Sequence, residues 1–277
     1  MEAAQHLLRT GRRGPKAELA MASADLAGSL HRLGLAWTLA RHDVVARYRG
    51  SILGPFWITL SMGLMVLGIG LLYAQLFHQD IHAFLPFVAL GLVCFQTMSA
   101  IINEGCETFT QARGMLSQTA LPIFTFVWRT LFRNLITFGH HLVIVLAVLL
   151  WFGTWRQSNL PLAAVGLVFL LLNAGWLSMV AGIVSARFRD IPPVVASVLQ
   201  FAIFVTPVFW SPSVLPERGA LLDANPFAHM LQAVRGPMLG EPVPPLTWAV
   251  LAAMAVVGWA FTFVLFARTR RRIVHYL

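Results

Sequence analysis

The run NLITFGHHLVIVLAVLLWFGTW, Asn134–Trp155, contains 22 residues without an Asp, Glu, Lys or Arg. At 1.5 Å per residue a helix of this length covers about 33 Å, enough for a hydrocarbon core of roughly 30 Å. A membrane β-strand would instead alternate in polarity over about ten residues, and LVIVLAVLLW (142–151) shows no alternation. Five further runs have the same character: Gly50–Phe77, Ile81–Asn103, Gln157–Ala186, Ile191–Pro216 and Pro242–Ala267. The sequence therefore predicts an all-α integral membrane protein with six transmembrane helices.

Composition agrees, with 58% hydrophobic residues, 11% charged residues and a mean hydropathy of +0.73. The charges are distributed unevenly. Of the 20 basic residues, 17 lie before the first run, in every second connection or in the tail; only Arg156, Arg218 and Arg235 lie in the alternate connections. The positive-inside rule then places both termini in the cytoplasm. The net charge of +9 follows the membrane edge, which argues against nucleic-acid binding and for anionic headgroups or an acidic partner.

Residues 1–30 lack the apolar centre of a cleavable signal peptide and are expected to be a flexible cytoplasmic extension. Cys94 and Cys106 imply neither a disulfide nor a metal site. Residues 31–49, HRLGLAWTLARHDVVARYR, repeat apolar side chains at helical spacing and are expected to form an amphipathic interfacial helix, with Asp43 and Arg47 spaced for an i,i+4 ion pair. Gly50, Gly54 and Pro55 then break the helix where the chain turns into the membrane. Residues 50–267 form the transmembrane domain and 268–277 a basic cytoplasmic tail.

Three separated stretches carry a resemblance. RYRGSILGPFW (47–57) is similar to the R-Y-R-G-S-x-L-G-P-x-W signature of ABC-2-type permeases that export polysaccharides. RFRDIPPVVASVLQ (187–200) resembles that family's (F/Y)-R-D-(I/V) connection between spans four and five, and NPFAHMLQAVRGPMLG (225–240) resembles its N-P-x-x-H segment before span six. They occur in the family's order, and the resemblance covers roughly residues 30–270. In the connection after span two, where the family often carries lysines, ETFTQARGMLSQTALP (107–122) has Arg113 as its sole basic residue.

The resemblance implies the channel-forming subunit of an ATP-driven exporter in the bacterial inner membrane. It works as a homodimer with two separately encoded ATP-binding cassette subunits, which bind the ATP and Mg; this chain needs no cofactor. The implied substrate is a polysaccharide on a polyprenyl diphosphate, O-antigen of lipopolysaccharide first, with capsule, teichoic acid and galactan left open. Consistent with a separate ATPase, no G-x-x-x-x-G-K-[ST] loop occurs and Lys16 is the sole lysine.

Candidate roles follow. Arg47 and Arg49, with Gly50 and Gly54, are positioned to meet the lipid diphosphate through forked guanidinium hydrogen bonds, the rival being ATPase docking or phospholipid contact. Phe56, Trp57 and Phe95 are channel candidates. Arg41, Asp43, Glu104, Glu107, Arg113, Arg187, Arg189 and Asp190 are candidates for coupling to the ATPase. Asn225, Pro226, Phe227 and Met230, on a short re-entrant helix before the last span, are candidates for an outer gate.

Two other functions compete. A gradient-driven carrier needs converging ionisable groups at depth, but the uncharged runs offer mainly His140 and His141, which point about 100° apart on a helix and suit helix-to-helix hydrogen bonding. An intramembrane lipid- or glycan-modifying enzyme needs an acid/base or metal constellation, which Glu104, Glu107, Arg187, Arg189 and Asp190 do not space.

Overall fold

A computed structural model describes residues 14–212 and 222–276. The described residues are helical, with no strand among them: α1 Pro15–Leu30, α2 Leu33–Arg47, α3 Phe56–Leu76, α4 Ile81–Gln111, α5 Arg113–Gln118, α6 Phe124–Trp151, α7 Leu160–Arg187, α8 Ile191–Val205, α9 Pro226–Leu239 and α10 Pro245–Tyr276. Helices α3, α4, α6, α7 and α10 are long and apolar enough to cross a membrane. The described termini, α5 and the turn Phe188–Asp190 mark one end of the bundle, here the basic end; the 3₁₀ turn Thr154–Gln157 and the α9–α10 turn mark the far end.

Helix α4 is the central post. Of its most apolar stretch 83% is buried, against 28% for α3, α6 and α10, whose outer faces carry exposed leucines, valines and phenylalanines suited to lipid. Its start is fixed by Asp80, whose carboxylate accepts the His82 N–H at 3.1 Å. Against α7 it packs through small residues. A Cβ on Gly105 would overlap the Ser178 backbone, and one on Gly182 would meet the Gly105 carbonyl, so the two helices approach at backbone distance. Asn173 of α7 donates to the Leu251 carbonyl of α10, and the Trp259 Nε1 of α10 donates back to the Leu172 carbonyl.

The sequence expectation differs from the structure in four places. First, residues 15–30 are not a loose extension: they form α1, which docks on α6 and α10, while residues 1–13 lie outside the described residues. The reason is Asp25. Its buried carboxylate accepts the Ile123 and Phe124 N–H groups at the start of α6 and the Arg270 Nε of α10. It thus caps from a distance a helix N-terminus whose own N-cap residue supplies no side-chain bond.

Second, α2 buries only its small face, Ala36, Ala40 and Val44, against α6, with Trp37 edge-on to Phe132 at 5.7 Å; Leu35 and Val45 stay exposed. Third, the Asp43–Arg47 pair does not form. Asp43 takes a forked pair of bonds from Arg129 of α6, both 2.7 Å, which outweighs the few tenths of a kcal/mol of an exposed i,i+4 pair.

Fourth, the fifth apolar run does not make one long helix. Helix α8 has 15 residues and stops at Val205, about 22 Å of rise, because Pro207 disfavours helical geometry at Thr206 (φ −87, ψ 137). Helix α9 begins beside that stop, where Asn225 Nδ2 donates to Thr206 Oγ1 at 3.1 Å. It ends at the far end, where Asn159 N–H donates to the Pro237 carbonyl and Ser158 Oγ to the Met238 carbonyl. Among the described residues there are therefore five long spans, and the fifth apolar run contributes the shorter helix α8, with α9 after it.

Candidate functional site: a polar cavity beneath a ring of ion pairs

The turn from α2 into α3 is set by two glycines. Gly50 (φ +82) and Gly54 (φ +55) occupy the left-handed region, and among the described residues neither has a neighbour where a Cβ would stand. Backbone conformation selects glycine here, and the open space lets another molecule come close. Arg49 on this turn is exposed, and Phe56 and Trp57 at the start of α3 are 55% and 43% exposed.

Beneath the turn, α2, α4 and α6 are tied together by charge. Arg133 of α6 is the hub: its Nε donates to Glu104 Oε2 at 2.7 Å and its Nη1 to Asp43 Oδ2 at 3.3 Å. Asn134 Nδ2 also donates to Glu104 Oε2, at 2.8 Å. Arg47 reaches Glu104 Oε1 at 3.3 Å from a side chain that is 54% exposed, the wettest contact of the set. Glu107 joins at the edge by accepting from Gln111, whose Oε1 accepts from Arg133. Opposite charges close together make it possible for α4 and α6 to carry Glu104, Arg129 and Arg133 as continuous helices beyond the uncharged runs.

The eight coupling candidates thus separate. Asp43 and Glu104 are held inside the bundle by their own arginines, while Arg41, Glu107, Arg113, Arg187, Arg189 and Asp190 are exposed at the basic end. Arg187 lies over the Phe188 and Tyr276 rings at 5.0 and 5.9 Å. Asp190 precedes α8 without a side-chain cap bond, and Pro192 and Pro193 fill that helix's first turn.

Below Glu104 opens a cavity of about 330 Å³ between α3, α4 and α6, with Arg47 and Tyr48 at its mouth and Gln96, Thr137 and His141 deeper. Of the two adjacent histidines, His140 pairs with Thr59 Oγ1 of α3 at 3.3 Å, whereas His141 lines the cavity. Arg129, Arg133, Asn134, Gln96 and Thr137 were not among the sequence candidates. The visible signal was spacing: Gln96, Ala100 and Glu104 lie four apart, and so do Arg129 and Arg133.

The far-end candidates are also sorted by the structure. Asn225 caps α9, its Oδ1 accepting from Phe227 and Ala228 N–H, and Pro226 occupies the first turn. Phe227 lies 6.1 Å from Phe95, itself 3% exposed, and Met230 is fully buried; the channel candidate Phe95 and the gate candidate Met230 are core residues within this chain. Two residues outside the candidate set hold α9 in place. His229 joins Thr247 Oγ1 at 3.0 Å and the Asp223 carbonyl at 2.9 Å. Arg235, 1% exposed, donates to the Pro207 carbonyl and places its guanidinium 3.8 Å above Phe87. No cluster of His, Cys, Asp and Glu suited to a metal occurs among the described residues.

Comparison with known proteins places this geometry in context. The chain is 26% identical over 233 residues to the O-antigen export system permease protein RfbA of Myxococcus xanthus, covering 82% of this chain and 89% of that one. It is 19% identical over 202 residues to the O-antigen export system permease protein RfbA of Klebsiella pneumoniae, covering 71% and 77%. The profile of the ABC-2 type transporter family matches residues 34–239, from the first turn of α2 to the last residue of α9, and so takes in the glycine turn, the ion-pair ring and the Asn225 cap. This multi-pass membrane protein belongs to the ABC-2 type transporter family.

Proposed function

We propose that this chain is the membrane subunit of an ATP-driven exporter that moves a polyprenyl-diphosphate-linked polysaccharide, O-antigen first, across a bacterial inner membrane. The observation that carries the reading is the family match, together with two relatives, both named O-antigen export system permeases, that align over more than two thirds of the chain. The working unit is a homodimer with two ATP-binding cassette subunits. The basic end faces the cytoplasm, as the charge asymmetry favours.

In this reading the lipid diphosphate meets Arg47 and Arg49 at the α2–α3 turn, where Gly50 and Gly54 leave open space. Arg41, Glu107, Arg113, Arg187, Arg189 and Asp190 form the surface that receives the ATPase, and the ring from Asp43 to Glu104 carries its motion from α2 into α4 and α6. The test is complementation. Cells lacking their own O-antigen permease receive this chain with its partner ATPase, and surface O-antigen is measured. Restored surface polysaccharide supports the reading; intact insertion and assembly without any surface polysaccharide for O-antigen, capsule or teichoic acid hosts would overturn it.

A further inference from the structure

We propose that the cavity beneath Arg47 is a subsite for the first sugar of a lipid-linked saccharide, with its phosphate at Arg47 above; the inference rests on the exporter reading given above.

Three helices each turn one stripe toward this space. Helix α3 brings Ile58, Ser61, Met62 and Met65, α4 brings Gln96, Ala100 and Glu104, and α6 brings Asn134, Thr137 and His141. These spacings of three, four and seven are single helical faces, so the lining is continuous. From Glu104 to Gln96 the cavity runs along α4 for about 12 Å toward the middle of the membrane. Gln96 is exposed while every other residue from 91 to 99 is buried. An amide held open at mid-membrane depth is costly unless it has a polar neighbour to meet.

His141 gives the second observation. It is 7% exposed, lines the cavity, and its Nδ1 has no hydrogen-bond partner among the described residues. Ser61 and Thr137 donate their hydroxyl protons to the Trp57 and Arg133 carbonyls of their own helices, which leaves both oxygens free to accept. The deep half therefore offers neutral donors and acceptors beside an apolar wall of Ile58, Met62 and Met65. That combination suits a ring with hydroxyls on its rim and C–H groups on its face. A bare phosphate would call for more cations, an acyl chain for fewer polar groups, and a proton relay for more than the one ionisable group, His141, among the described residues of the deep half. The volume of about 330 Å³ is at the lower end of small-ligand pockets, typically about 300–1,000 Å³.

Arg47 links mouth and cavity. Its 3.3 Å contact with Glu104 Oε1 is long and half exposed, so a phosphate competes for the guanidinium readily. Once released, Glu104 Oε1 faces the cavity as an acceptor for a sugar hydroxyl, while Oε2 stays with Arg133 and Asn134.

The experiment compares binding of two probes to the full chain in detergent: farnesyl diphosphate and the same lipid bearing one N-acetylglucosamine. Wild type should bind the sugar-bearing probe at least about tenfold more tightly, the scale on which a site built to hydrogen-bond hydroxyls discriminates. In Gln96→Leu and in the near-isosteric Thr137→Val the two probes should bind alike, whereas Arg47→Lys should weaken both in equal proportion. Equal binding by the wild type overturns the sugar subsite and leaves the diphosphate reading standing. Failure of both probes to bind overturns the two together. Free N-acetylglucosamine 1-phosphate binding as tightly as the lipid-linked probe would assign the cavity to a soluble sugar phosphate and overturn the lipid-linked assignment.

Discussion

The two ends of this bundle solve the problem of polar groups in a membrane differently. At the basic end, Arg129, Arg133 and Arg47 face Asp43 and Glu104, so each charge has an opposite partner and several retain contact with solvent. At the far end, Arg235 is buried with a carbonyl and an aromatic face, and no carboxylate is within ion-pair distance among the described residues. Around it, Asn225 and His229 hydrogen-bond with the Thr206 and Thr247 hydroxyls and the Asp223 carbonyl. A ring of partly wet ion pairs can exchange partners at small cost, which suits the contact with headgroups and with a partner's motion proposed for this end. These hydrogen bonds to hydroxyls and carbonyls, with the Arg235–Phe87 contact, do not exchange in this way and hold α9 to α4, to the residues that follow α8 and to α10.

The sharpest test of the contrast is to replace one arginine at each end with methionine of similar volume. Arg133→Met leaves Asp43 and Glu104 without their hub and should cost roughly 3 kcal/mol, the lower range for breaking a buried pair because both carboxylates keep some solvent. Arg235→Met should cost less, about 1–2 kcal/mol, since it strands a carbonyl but buries no uncompensated charge. Denaturation of both variants in detergent checks the order, and a larger loss at Arg235 would break the comparison.

Smaller effects sharpen it. Asn225→Ala removes the α9 cap and the bond to Thr206, and should lower stability by about 1 kcal/mol. Arg47→Ala should change stability by no more than about 0.5 kcal/mol, because its ion pair is long and half exposed, while reducing export strongly. Stability and export measured on the same preparations would separate these two; an Arg47→Ala protein as destabilised as Arg133→Met would make Arg47 a structural member of the ring.

Much of this was legible in the sequence. The uncharged runs announced the long helices, and the Asn225–Pro226 pair announced the start of α9, since capping chemistry is local. What escaped was tertiary. An uncharged run ends at the first charge, so Glu104, Arg129 and Arg133 were placed outside the spans, although the helices carrying them continue once opposite charges meet. The fifth run hid its own break because Pro207 is apolar in a hydropathy count yet decisive for backbone geometry. Asp25 gave no local sign that it caps α6, for its partners lie about a hundred residues away and farther.

The meeting of a lipid diphosphate with the α2–α3 turn is tested most directly by Arg47→Lys combined with Arg49→Lys, with complex assembly and export measured together. Lysine keeps the charge and loses the fork. With two charge-assisted contacts weakened, export should fall at least about tenfold while the permease still inserts and assembles with its ATPase. Lost assembly would shift both arginines to partner docking, and export at the wild-type level in a fully assembled complex would contradict diphosphate recognition at this turn.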